Sequence, residues 1–176
     1  NIPGVTFNHL APQNYKSDIM YYYQTIRETT STSDISIKEL FVIDDDEPLC
    51  LDTLHFCCRL CCIDTWIQDR DVYEKINNEI SGGQKSRLLI AGKLYQLQIT
   101  GKNMLILDEP EQGSDPPVAY QMLKNISDHY TKTTMDPKQR PVTIVIISHL
   151  EKILDEAHTG IHFDHVFRVA DGLITM

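Results

Sequence analysis

Two short stretches of this chain hold residues able to work on a phosphate. Met104-Leu105-Ile106-Leu107-Asp108-Glu109-Pro110 sets two adjacent carboxylates behind four apolar residues. Ser81-Gly82-Gly83-Gln84 sets a hydroxyl, two glycines and an amide ahead of a helix-like run from Lys85 to Leu97. Successive glycines allow close backbone approach to an anion, and a helix starting behind them aims unpaired N–H groups and its positive dipole end at that anion. This predicts a phosphate contact. The apolar run predicts a fully buried strand that stops where its side chains meet solvent. In an open α/β sheet ligands bind at that carboxyl edge, which places Asp108 to hold Mg²⁺ and Glu109 to orient or deprotonate a water. Singly, an ordinary Gly-Gly turn and a polar strand end account for each stretch; their order along the chain narrows the chemistry.

In that order they resemble the signature motif, Walker B strand and catalytic glutamate of the ATP-binding-cassette (ABC) ATPase family. The segment Glu111-Gln112-Gly113-Ser114-Asp115-Pro116 resembles the D-loop, with Asp115 matching its aspartate; a simple turn before a helix at Val118 to Tyr130 also explains it. Val142-Thr143-Ile144-Val145-Ile146-Ile147 predicts a second buried strand, and the Ser148-His149 that ends it resembles the H-loop. Leu40-Phe41-Val42-Ile43 resembles the strand leading to the Q-loop, with Asp44 in place of the glutamine. A carboxylate there lacks the N–H donors of an amide, and a solvated acidic turn over residues 44–47 is the alternative. Phe163 to Val169, the Asp171-Gly172 turn and Leu173-Ile174-Thr175 read as a closing hairpin like the family's.

The resemblance implies an α/β fold: a mostly parallel, P-loop-NTPase-like sheet with an inserted helical subdomain at about residues 50–80. It covers residues 40–176 and leaves 1–39 as a poorly readable N-terminal segment, with Tyr21-Tyr22-Tyr23 as an aromatic cluster and a loop at Thr29 to Ser33. It also implies roles. Asp108 binds Mg²⁺, Glu109 is the general base, and His149 contacts the γ-phosphate of ATP while holding water and glutamate in line. Ser81, Gly82, Gly83 and Gln84 contact ATP held mainly by a second cassette, and Asp115 lies on the loop that crosses between the two. A homo- or heterodimer of cassettes is the implied partner.

One expected part is not in the sequence. No G-x-x-x-x-G-K-[ST] occurs, the Walker A loop whose amides and lysine cradle the β- and γ-phosphates. Gly92-Lys93 and Gly101-Lys102 lack the upstream glycine and the following hydroxyl. The expectation is a chain that starts downstream of that loop, with Walker A in an upstream segment or a partner. Two functions stay open: a portion of an active ABC ATPase, or a degenerate cassette kept as a binding or structural module. A sheet without the phosphate-loop strand would expose an apolar face and a raw edge, which predicts association with a complementary segment or oligomers.

The remaining features exclude more than they assign. A net charge of −9 over 176 residues opposes a general phosphate-backbone footprint, so nucleic acid is not the expected main ligand. No run approaches the roughly 18 apolar residues of a membrane span, no secretory signal is visible, and the chain reads as a cytoplasmic protein without membrane insertion. Leu51, Leu54, Cys58 and Cys61 recur at helical spacing, with Asp52 or Thr53 available as an N-cap. On a continuous helix the sulfurs of Cys57, Cys58, Cys61 and Cys62 diverge too far to close on one zinc, so buried small hydrophobes are expected. His158, His162, His165 and Asp164 straddle Gly160, which breaks any shared helix and disfavours a metal site. Behind the signature, Leu88, Ala91 and Tyr95 mark an apolar helix face, with Gly101 as its stop.

Overall fold

The computed structural model describes residues 19–22, 35–44, 48–76, 80–133, 141–170 and 172–176. The loop expected at residues 29–33, most of the acidic turn at 45–47, Pro137 and Asp171 lie outside the described residues. In chain order the elements are β1 (Ile19–Tyr22), α1 (Ile37–Phe41), α2 (Leu51–Leu60), α3 (Asp64–Ile67), α4 (Gly82–Thr100), β2 (Met104–Asp108), α5 (Pro116–Thr133) and β3 (Thr143–Ile147). A 3₁₀ turn (Glu151–Leu154), α6 (Glu156–Thr159), β4 (Arg168–Ala170) and β5 (Leu173–Thr175) follow.

β1, β2 and β3 form a parallel sheet with β2 in the middle, Met20 opposite Leu105 and Leu105 opposite Ile144. Neither β2 nor β3 is the fully buried strand expected. Leu105 and Leu107 are buried while Met104, Ile106 and Asp108 are half-buried, and Thr143, Val145 and Ile147 of β3 are exposed. Side chains alternate across a strand, and the described helices close only the Leu105 face. β3 is one of the two outer strands among the described residues, β1 the other. Along the hairpin β4–β5 every described residue is exposed, and residues 163–167 are not strand as expected.

α4 is the centre of the core. It runs between β1 on one side and α1 and α2 on the other, which buries Leu88, Ile90, Ala91, Leu94, Tyr95 and Leu97. Buried positions on more than one face, including the consecutive run Leu88 to Ala91, fit a helix packed on two sides. Gly92 permits the closeness of α1, since a Cβ there would stand 2.6 Å from the Leu40 carbonyl oxygen. Gly101 ends α4 in the left-handed conformation at φ 63°, as the stop signal predicts.

α1 corrects the sequence reading, which expected a strand over residues 40–43. A capping box starts this helix: the Glu39 N–H donates to Ser36 Oγ at 3.3 Å, and the Ser36 N–H donates to the Glu39 carboxylate. Phe41 then packs edge-on against Tyr95, ring centroids 5.6 Å apart. α2 is also capped differently. Cys50 occupies the N-cap position instead of Asp52 or Thr53, its N–H donating to the Tyr95 hydroxyl at 2.9 Å. Leu51, expected on the apolar face, is exposed, whereas Leu54, Cys57, Cys58 and Cys61 are buried. Among the described residues no helix is long and apolar enough to cross a membrane.

Candidate functional site

Parallel strands deliver their carboxyl ends to one edge, and here that edge carries the acidic pair and the histidine. Asp108 closes β2 opposite Ile147, the last residue of β3. The chain then turns sharply. Glu109 adopts φ 49°, left-handed for a residue with a side chain, and its N–H donates to the Ile147 carbonyl at 2.8 Å. Such a conformation costs roughly 1–3 kcal/mol and persists only where its surroundings hold it. It swings the carboxylate towards β3, where His149 Nε2 lies 2.9 Å from Glu109 Oε1. Gln112 Nε2 donates to the other oxygen, Oε2, at 3.1 Å. The glutamate is thus half-buried and held from both sides, under a histidine ring that is 85% exposed.

Asp108 is half-buried, and its carboxylate makes no hydrogen bond or ion pair with another described residue. Uncommitted carboxylate oxygens at a strand end suit a hard cation such as Mg²⁺.

The signature stretch is built differently from the expectation. α4 begins at Gly82 and not near Lys85, with Ser81 as its N-cap: the Gln84 N–H donates to Ser81 Oγ at 3.2 Å and the Ser81 N–H to Gln84 Oε1 at 2.9 Å. Ser81 and Gly82 are exposed, but Gly83 is buried. A Cβ on Gly83 would lie 2.4 Å from the Gly113 carbonyl oxygen, so this glycine is where the turn after β2 leans on α4. Arg87 Nη1 reinforces the contact, donating to Ser114 Oγ at 3.4 Å. Asp115 is exposed just ahead of α5 and accepts the Ala119 N–H on its carbonyl at 3.0 Å.

The structure therefore gathers Glu109 with His149 at one end of the turn from 109 to 115, and Ser81 to Gln84 with Gly113 at the other. Three neighbours of the site were not assigned roles from sequence: Glu111, Gln112 and Ser148. The sequence signal for them is adjacency alone. An open groove of about 750 Å³, lined among others by Pro116, Pro117, Tyr120, His149, Leu150 and His158, starts at the exposed histidine and follows α5.

A parallel sheet packed on helices, with an acidic pair and a histidine on neighbouring strand ends, defines an α/β domain. Solved structures narrow this. An ATP-binding cassette of an ABC transporter in its ADP conformation superposes with a TM-score of 0.58 at 18% identity, over 93% of this chain and 61% of that one. A dimeric post-hydrolysis cassette bound to ADP and Pi gives 0.56 at 15% identity, over 86% of this chain and 62% of that one. The fold is that of ABC ATPase domains. In sequence, the chain is 32% identical over 107 residues to the energy-coupling factor transporter ATP-binding protein EcfA2 of Caldanaerobacter subterraneus subsp. tengcongensis, covering 61% of this chain and 29% of the relative. EcfA2 of Clostridium tetani is 37% identical over 81 residues, 44% of this chain and 24% of the relative. The match spans less than a third of the length of either relative. The sequence matches no protein-family model. Relatives and structural neighbours together support a partial ABC ATPase domain.

Proposed function

We propose that this chain is the signature and Walker B portion of an ATP-hydrolysing ABC cassette, acting in the cytoplasm. It binds ATP and Mg²⁺ at an interface between two cassettes and works with a Walker A loop from an upstream segment or a partner. Residues 40–176 carry the cassette-like region, about 50–80 its helical subdomain. The observation that carries this reading is the Glu109–His149 contact at 2.9 Å beside an uncommitted Asp108. Glu109 takes the proton of the attacking water, and His149, exposed beyond it, reaches the γ-phosphate. Asp108 holds Mg²⁺, which when bound neutralises charge on the phosphates. Ser81, Gly82 and Gln84 face the nucleotide of the opposing cassette, Gly83 seats them against the turn at Gly113, and Asp115 sits on the crossing loop.

The Q-loop assignment changes. Residues 40–43 lie in and just after a helix, and the strand that pairs with β2 on the side away from β3 is β1. Gln24, outside the described residues, follows β1 in the sequence and is the better candidate than Asp44.

A module without catalysis is the competing reading, favoured for the isolated chain by the missing phosphate-loop sequence. The test is the mass and melting temperature of the chain with Mg²⁺ and ATP, alone and joined to a phosphate-loop segment, beside Glu109→Gln. ATP-dependent dimerisation that persists in Glu109→Gln supports the ATPase. No ATP response in the completed cassette overturns it.

A further inference from the structure

We propose that Glu111 is a positioning residue for His149, acting through Ser148; the proposal rests on the Glu109–His149 reading above. The Ser148 hydroxyl donates to Glu111 Oε1 and accepts the Leu150 N–H at 3.0 Å. One hydroxyl thereby ties the residues on both sides of His149 to the turn that carries Glu109. Without that tie, a ring 85% exposed has little packing to hold it, and the side-chain contact it makes among the described residues is to the carboxylate it is meant to meet.

Glu111 is an expensive way to make this bond. It is 8% exposed, and its second oxygen, Oε2, is buried with no hydrogen-bond partner among the described residues. A buried carboxylate half-satisfied is worse for stability than an apolar side chain of the same size. Local rules broken in this way concentrate where geometry serves function. The turn holds both members of the pair with neighbouring side chains: Gln112 on Glu109 directly, and Glu111 on His149 through Ser148. It gives the approach of β3's end to β2's end a side-chain lock in addition to the Glu109 N–H bond to Ile147.

The test reads the pair without requiring turnover. In the full chain labelled at histidine nitrogens, Glu109→Gln moves the His149 Nε2 resonance, reporting the contact. Glu111→Ala and Ser148→Ala are expected to abolish that dependence, so that adding Glu109→Gln to either no longer shifts Nε2, while backbone resonances of α4 stay in place. Glu111→Gln, whose amide oxygen still accepts the Ser148 hydroxyl, is expected to keep it. If Glu111→Ala does not fold, Ser148→Ala carries the test alone. A dependence unchanged in Ser148→Ala overturns the positioning role and leaves the pair standing. No effect of Glu109→Gln on the otherwise native chain overturns the pair itself, and the positioning role with it.

Discussion

The Cα of Gly83 lies against the carbonyl of Gly113, so close that a methyl group on it would stand 2.4 Å from the oxygen. The signature helix and the turn leading from Glu109 are therefore one packed unit. A displaced α4 N-terminus would press on residues 113–114, in the turn that begins at Glu109.

Replacing Gly83 by Ala should thus cost about 2–3 kcal/mol, because the obstacle is backbone and cannot rotate away. Gly92→Ala, facing the Leu40 carbonyl at 2.6 Å, should cost a similar amount by pushing α1 from α4. Gly101→Ala meets nothing within 4 Å and should cost about 1 kcal/mol from its left-handed backbone alone. Urea midpoints of the three variants check the ranking. Equal losses at all three positions would mean that the close approaches carry no energy.

The local motifs were legible because each lies at the end of an element: Asp108 closes β2, Glu109 and His149 follow β2 and β3, and Ser81 caps α4. The sheet was not. β1 is four residues long and is held by pairing with β2 and packing on α4, long-range contacts that no local pattern announces. Leu40-Phe41-Val42-Ile43 looks like a strand by composition, yet Ser36 and Glu39 at capping-box spacing were the stronger signal and start a helix. Burial on one face only could not be read from Val142 to Ile147, since an apolar run does not say what covers it.

Stability should fall in alkali. Burial pushes the Cys57 thiol up to about 12 and holds Cys58 and Cys61 above their usual value as well. In the unfolded chain these thiols ionise near the ordinary thiol value of 9.0. Between those limits the unfolded state binds fewer protons than the folded one, so the contribution is complete below pH 9 and lost as pH rises towards 12. Each such thiol steepens the loss by about 1.4 kcal/mol per pH unit. Urea melts from pH 8 to 11 read this slope, and Cys57→Ala should make it shallower. A flat profile would mean that folding leaves the thiols at their ordinary value.

An outer strand predicts self-association. β3 presents Val145 and Ile147 on an exposed face and an unpaired edge among the described residues. Sheets with such edges recruit other chains. Light scattering across concentration should show oligomers, and Val145→Lys should weaken them at least about tenfold, the 1.4 kcal/mol a poorly placed charge readily exceeds. A monodisperse monomer at high concentration would show that the edge is protected.

On the proposed function, Glu109 and His149 should behave as a unit. In a cassette completed by a phosphate-loop segment, Glu109→Gln removes the base and His149→Ala removes the donor on its Oε1, so each should lower kcat by about 10²–10⁴. Groups acting on one step are not additive, and the double variant should be little worse than Glu109→Gln alone. Glu109→Gln keeps an amide oxygen facing His149 and should still bind ATP, whereas His149→Ala loses the contact to the γ-phosphate and should bind it more weakly. Single-turnover rates beside ATP affinities separate these effects. Independent, multiplying losses would show that the 2.9 Å contact between Glu109 and His149 has no part in hydrolysis.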